Sequence, residues 1–304
     1  MENALIEKAA SHWDSIATAK NEDLMLRWWD SPMLHRLVDE NWWDATGCKN
    51  AGEFIRRETG RQTLGLGISI GCGSAEDEII LLEQNVLERL IICDISNEQL
   101  NKAEEFAASR GIDKNRLIRL NHVDLEVPFS EKLDLIYWRH SLHHMFDTEK
   151  TILWCRDNLT DHGAIYCNDA CPPNRMQWDE TTLKWTELYR ASLPHEYLRS
   201  PFEAGQYLPY RPNVPSVEFW KSVDPTECAD SANIIPAIRK HAPNARVAFL
   251  GGCIYALALD DILNNFRKEE DLVLLRNAMG LDKFMSNAGM NYFFTCVINR
   301  RDFT

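Results

Sequence analysis

Three clusters in this 304-residue chain have side chains of the types and spacing that chemistry needs. The first is Gly71-Cys72-Gly73, which ends the apolar run 66–70 and precedes the helix-like AEDEIILLEQ. Glycines at a strand-to-helix turn let the backbone approach a ligand, and the helix start presents free N–H groups. The second is a pair of acids, Asp94 and Asp124, at the ends of two successive apolar runs. A carboxylate in that place can accept from two ribose hydroxyls. A lone Asp there is as often a turn cap, so the repetition one strand later carries the reading. The third is the stretch WRHSLHHM, with His140, His143 and His144 after the fourth run and Asp169 after the fifth. Imidazole titrates near neutrality, so His143, His144 and Asp169 are candidates to remove a proton from an acceptor hydroxyl.

The same stretches say what the glycine loop does not hold. A G-x-G-x-x-G dinucleotide loop needs glycine at position 76, where this chain has Glu76. Glu76, Asp77 and Glu78 open the helix, and no Lys or Arg lies between Arg61 and Arg89. A pyrophosphate wants the uncompensated positive end of a helix. A phosphate-free, cationic cofactor suits the loop better. His140 and His144 stand four apart, but no H-E-x-x-H motif appears and the segment reads as a loop before a cap at Asp147. No metal site is expected from this spacing.

Elements of a definite kind must position these clusters. Apolar runs at 66–70, 90–93, 117–123, 133–138 and 164–167 alternate with amphipathic stretches. One helix is expected from Ser96, with Gln99 three residues on and Gly111 as its stop; another opens on Asp147. Strands alternating with helices predict a parallel sheet wound on both faces. Ten of the twelve prolines fall between 172 and 243, which interrupts the pattern apart from a helix near 180–193. The α/β pattern resumes with ARVAFLGG, a helix-like stretch over 260–279 and a closing run NYFFTCVIN. The expected division is a helical N-terminal cap over 1–61, a core over 62–170 and 244–304, and a proline-rich insertion over 171–243. The cap carries Trp28, Trp29, Trp42 and Trp43, read as an apolar face docked on a core or as the roof of a pocket. The insertion is rich in Tyr189, Tyr197, Tyr207, Tyr210, Arg199 and Arg211 and is expected to form an acceptor lid.

The series ISIGCGSAEDE, IICDIS, NHVDLE and LDLIYWRHSLHHM resembles the class I S-adenosylmethionine-dependent methyltransferases. The resemblance covers about 62–170 and implies a Rossmann-like, doubly wound seven-stranded sheet, mostly parallel with a C-terminal antiparallel strand. It implies S-adenosyl-L-methionine as cofactor, with Gly71, Cys72 and Gly73 beneath the methionine part. Asp94 would then hold the ribose with Ile95 beside the adenine. Asp124 would cap the adenine amino group with Leu125 next to it, and Arg139 and His140 would line the sulfonium side. The family's usual acid two places before the first glycine is Ser69 here, and its frequent third glycine is Ala75. Glu76 or an N-terminal residue is the candidate to hold the methionine amino group instead.

Composition bounds the partners. Lys plus Arg total 33 against 46 acids, a formal net charge of −13, which argues against nucleic acid or an anionic membrane. Nine scattered cysteines without a C-x-x-C pair suit reduced thiols in a cytoplasm. The N-terminus is charged where a signal peptide needs an apolar run, and the longest apolar stretch, 247–259, is too short to span a bilayer. The expected activity is methyl transfer to a small-molecule or glycan-like acceptor, with oxygen favoured over nitrogen. The alternatives are an NAD(P)-dependent oxidoreductase, and a catalytically degenerate methyltransferase fold that binds a partner through its aromatic cap.

Overall fold

In a computed structural model, which describes residues 2–18 and 24–304, seven strands form one sheet. Leu64–Ile70 (β1), Leu87–Cys93 (β2), Leu117–Leu120 (β3), Leu133–Arg139 (β4) and Leu159–Ala170 (β5) run parallel. Val247–Gly251 (β6) and Phe293–Asn299 (β7) complete the order β3-β2-β1-β4-β5-β7-β6, with β7 antiparallel to both its neighbours. The helices are Glu2–Thr18 (α1), Pro32–Thr46 (α2), Ala51–Thr59 (α3), Glu76–Glu83 (α4), Asn97–Ser109 (α5), Thr148–Asn158 (α6), Glu180–Ser192 (α7), Val217–Val223 (α8), Ile234–His241 (α9) and Leu272–Asn287 (α10).

Strands covered on both faces read as apolar runs, and the buried stretches 66–70 of β1, 90–93 of β2 and 135–138 of β4 do so. One face packs Leu64, Leu82, Leu90, Tyr137 and Tyr166; the other packs Ile68, Ile136, Trp138, Ile165 and Phe294. The expected caps form. Ser96 accepts from Gln99 N at 3.2 Å and Asp147 from Lys150 N at 2.9 Å, each satisfying an orphan donor of the first turn.

Two expectations change. The strand at 117–123 stops at Leu120, because β3 is an edge strand and Asn121 turns away to bond Asn97. Val123 still tucks its side chain into the second core. The helix expected over 260–279 starts only at Leu272, after two short 3-10 turns. Asp261 takes a left-handed backbone, φ 61°, and with Asp260 binds the Arg27 guanidinium at 2.8 and 2.6 Å, so the chain is held out of a helical path there.

A third core joins parts that are distant in sequence. Trp28, Leu34 and Leu37 pack with Tyr189, Leu193 and Leu198, and with Ile254, Leu259, Phe266 and Leu275. Of the tryptophans at 28, 29, 42 and 43, Trp28 and Trp42 are buried while Trp29 and Trp43 face solvent. At ~25 cal/mol per Å², a ring covering ~200 Å² contributes about 5 kcal/mol toward holding such a segment down, before entropy opposes it. Among the described residues no helix is long and apolar enough to cross a membrane.

Candidate functional site

The carboxyl ends of β1, β2, β4 and β5 converge, and each delivers one of the sequence clusters. At the end of β1, Gly71 and Gly73 both take positive φ, 67° and 53°. A Cβ on Gly71 would stand 2.7 Å from the Ser141 Cβ, so only glycine lets this turn pass the turn after β4. A Cβ on Gly73 would meet nothing within 4 Å, which leaves its backbone open to a ligand. Cys72 between them is buried. Gly73 N donates to Asp94 Oδ2 at 2.8 Å, and Ser96 N donates to Asp94 Oδ1 at 2.8 Å. Burial raises the Asp94 carboxyl against the pull of those amides. Each oxygen keeps a second lone pair for a hydroxyl. From α1, Asp14 accepts from Ser96 Oγ at 2.5 Å and Glu98 N at 3.3 Å, so α1 closes over this corner. Ile95 is half-buried beside it. Asp124 lies four residues beyond β3, is exposed, and accepts from Glu126 N at 2.8 Å; Leu125 is half-buried.

The acids of α4 are not left bare. Asp77 binds Arg139 at 2.6 Å, so the cation missing from the local sequence arrives from β4. Glu76 is exposed, whereas Glu78 is 2% exposed and accepts from Ser69 Oγ at 2.8 Å. A carboxylate therefore stands beside position 69, but it is that of Glu78, one turn into the helix, and not that of the expected Glu76. Ala75, in place of a third glycine, adopts φ 51°, a conformation that costs an L-residue about 1 kcal/mol.

Burial pushes Glu78 up from its ordinary 4.5 to about 7. Folding then holds a proton that the unfolded chain has lost, and stability falls as pH rises from 4.5 to 7. The full cost, about 3 kcal/mol at 1.36 kcal/mol per unit, is present above pH 7. Glu78→Gln keeps a polar partner for Ser69 and removes the titration. Thermal melts should show the variant several degrees more stable than the parent at pH 8 and level with it at pH 4. Equal melting temperatures at both pH values would show that Glu78 is solvated.

The histidines separate into distinct environments, His140 just after β4 and His143 and His144 on the 3-10 turn Leu142–His144. His140, with φ 52°, lies against Trp28 and Phe293 at ring distances of 5.9 and 6.1 Å, and burial lowers it to about 3. Asp169 is fully buried and accepts four bonds: Ser141 N at 2.9 Å, Leu142 N at 2.6 Å, Ala170 N at 2.7 Å and His143 Nδ1 at 2.5 Å. Burial opposes the charge on His143, but the Asp169 carboxylate overrides it and holds the imidazole up to about 9. His144 Nδ1 bonds Thr226 Oγ1 at 2.9 Å, and its ring meets Trp13 of α1 edge-on at 5.6 Å. Burial and then the charge of His143 lower His144. Asp224, Glu227 and Cys228 close the far side, with Glu227 Oε1 3.8 Å from His143 Nε2.

Residues 68–165, which span β1 to β5, match the family model of a methyltransferase domain. These residues form a methyltransferase domain. S-Adenosylmethionine is the cofactor of such a domain, and the match does not favour the dinucleotide-dependent alternative. No curated protein matches the methyltransferase. A solved geranyl diphosphate methyltransferase, in complex with GPP and sinefungin, is 12% identical, with a TM-score of 0.52 over 97% of this chain and 99% of its own. That likeness shows the fold. The N-methyltransferase NodS from Bradyrhizobium japonicum, crystallised with S-adenosyl-L-homocysteine, is 14% identical, with a TM-score of 0.39 over 54% of this chain and 74% of its own.

The chemistry around the loop of the methyltransferase suits such a cofactor. The Asp94 carboxylate, held by Gly73 N and Ser96 N, keeps lone pairs for hydroxyls, the Gly73 backbone is open, and the buried Ser141 hydroxyl beside Gly71 has no partner. The insertion reaches the cleft, but not through the expected residues. Tyr189 is buried in the third core, Tyr197 donates to Asp271 at 2.5 Å, and Arg211 binds Glu180 at 2.7 Å. Tyr207, Tyr210 and Arg199 are exposed. The strip 224–228 makes the contact instead. Its acids are 80 or more residues from the histidines and no spacing rule links them; the signal in the sequence was their place after strand five.

Proposed function

We propose that the methyltransferase moves the methyl group of S-adenosylmethionine to a hydroxyl oxygen of a small-molecule or glycan-like acceptor, with His143 as the base. The observation that carries this reading is the buried His143–Asp169 pair at the carboxyl ends of β4 and β5. The cofactor supplies an activated methyl group; the chain supplies alignment and proton removal. Asp169, with all its bonds made, orients the imidazole through Nδ1 and leaves Nε2 as the atom that takes the hydroxyl proton. The neighbouring carboxylates keep a proton on His143 at neutral pH in the apo protein, and Nε2 sheds it before it can accept another. His144 borders the same cleft and is a wall of the acceptor pocket in this reading.

On the cofactor side, Asp94 holds the ribose, Ile95 and Leu125 flank the adenine, and Asp124 caps its amino group. Gly71, Cys72 and Gly73 run beneath the methionine part, whose ammonium pairs with Glu78. Arg139 and His140 line the approach to the sulfonium, His140 as a neutral ring packed with Trp28. The first segment with the insertion acts as cap and lid over the core. The anionic strip at Asp224 and Glu227 favours a second reading, in which the acceptor is an amine held as its ammonium. The test is incubation with methyl-labelled cofactor and a panel of hydroxylated and amine acceptors, with the product bond assigned by NMR. Label on oxygen is the expected result; label on nitrogen alone would replace it with the second reading.

A further inference from the structure

The strip after α8 places acceptor atoms face to face. Asp224 is 2% exposed; its Oδ1 accepts from Thr226 N at 2.8 Å and from Thr226 Oγ1 at 2.6 Å. Its Oδ2 is buried, has no hydrogen-bond partner and lies 3.7 Å from His144 Nδ1. Because the Thr226 hydroxyl proton goes to Asp224, Thr226 Oγ1 accepts from His144 Nδ1–H. The lone pair of His144 is then on Nε2, 3.9 Å from Glu227 Oε2. One ligand atom from each of His144, Asp224 and Glu227 lies within 4.8 Å of the others. The other Glu227 oxygen faces His143 Nε2 at 3.8 Å and accepts from Cys228 Sγ at 3.1 Å, which fixes the carboxylate in place. Arg175 contacts this strip through the Glu227 carbonyl, at 2.9 Å, not through the carboxylate.

Asp169 offsets the charge on His143, so the Asp224 and Glu227 carboxylates leave this buried site with net negative charge, which a bound cation would neutralise. Around a first-row divalent ion, neighbouring ligand atoms stand about 3–4 Å apart; His144 Nε2 and Glu227 Oε2 stand 3.9 Å apart, and the full set, within 4.8 Å, would draw in on binding. We propose that His144, Asp224 and Glu227 bind a divalent cation of the manganese or zinc type at the acceptor side of the cleft. The mixed nitrogen and oxygen donors select that class over magnesium or calcium, which prefer oxygen alone. Thr226, bonded to both His144 and Asp224, locks the ring as an outer-shell partner does. The inference rests on reading this cleft as the acceptor site: the cation would hold an acceptor oxygen beside His143.

The test uses the full-length protein stripped with a chelator and titrated with Mn²⁺, followed by electron paramagnetic resonance. S-Adenosylhomocysteine affinity is measured on the same samples by calorimetry. One Mn²⁺ per chain is expected, displaced by Zn²⁺, with pulsed spectra showing coupling to one imidazole nitrogen. Glu227→Gln and Asp224→Asn should each weaken Mn²⁺ at least ten-fold and leave S-adenosylhomocysteine binding unchanged. No Mn²⁺ or Zn²⁺ bound at millimolar concentration, bound Mn²⁺ without nitrogen coupling, or variants of parental affinity would each overturn the site. Parental protein that binds the metal but not S-adenosylhomocysteine would refute the cofactor assignments and leave the cation site standing.

Discussion

Asp94→Ala should weaken S-adenosylhomocysteine binding at least ~100-fold, or about 2.7 kcal/mol, while the sheet stays folded. A buried carboxylate that accepts from a diol contributes through charge-assisted bonds of about 1.5–3 kcal/mol each, and the variant loses both. It also frees the Gly73 and Ser96 amides, which Asp94 holds at 2.8 Å, so the glycine loop loses its tether. The core beneath is untouched: Ile68, Ile70 and Cys93 pack on the opposite side of the strands' ends. Burial already raises the carboxyl, so deleting its charge relieves a cost that offsets part of the lost tether. Asp94→Asn keeps one acceptor and should retain more of the affinity. Calorimetric titration, with a thermal melt for each variant, decides the matter. Unchanged affinity in Asp94→Ala would remove Asp94 from the cofactor site.

His143→Ala should slow single-turnover methyl transfer by about 10²–10⁴, the range that general-base catalysis supplies. Cofactor affinity should stay within a few-fold, because His143 faces Asp169 and Glu227 and not the glycine loop. Asp169→Asn should produce a smaller loss with a different origin. Its oxygens also hold the Ser141 and Leu142 amides, so the variant disturbs the turn that carries the imidazole. Stopped single-turnover assays at saturating cofactor separate these effects from binding. A rate for His143→Ala within a factor of three of the parent would leave alignment as the whole of catalysis.

The chain's own order declared more of the core than of the cleft. The apolar runs that became β1, β2, β4 and β5 were legible because parallel strands buried on both faces must be continuously apolar. Ser96 and Asp147 were legible as caps because their bonds reach only three residues. The same locality explains the errors. Position 120 ends an edge strand through a bond from Asn121 to Asn97, and no periodicity contains that bond. The helix expected over 260–279 was interrupted by Arg27, more than 230 residues earlier.

Charge shows the division most clearly. The acidic start of α4 with no base nearby was a sound sequence reading, and it pointed away from a pyrophosphate. In space Arg139 neutralises Asp77 at 2.6 Å, and Glu78 turns inward to Ser69, which places a carboxylate beside position 69. The nine cysteines, scattered in sequence, are all free thiols in the fold. By itself the sequence determined the strands, the glycine turn and the acid at the end of β2, since each is written in a short run of neighbouring residues. Only the tertiary structure decided which histidine pairs with Asp169, and that Asp224 and Glu227 face His144. Those relations depend on loops from separate strands meeting at one end of a parallel sheet, a distance in sequence that no local pattern records.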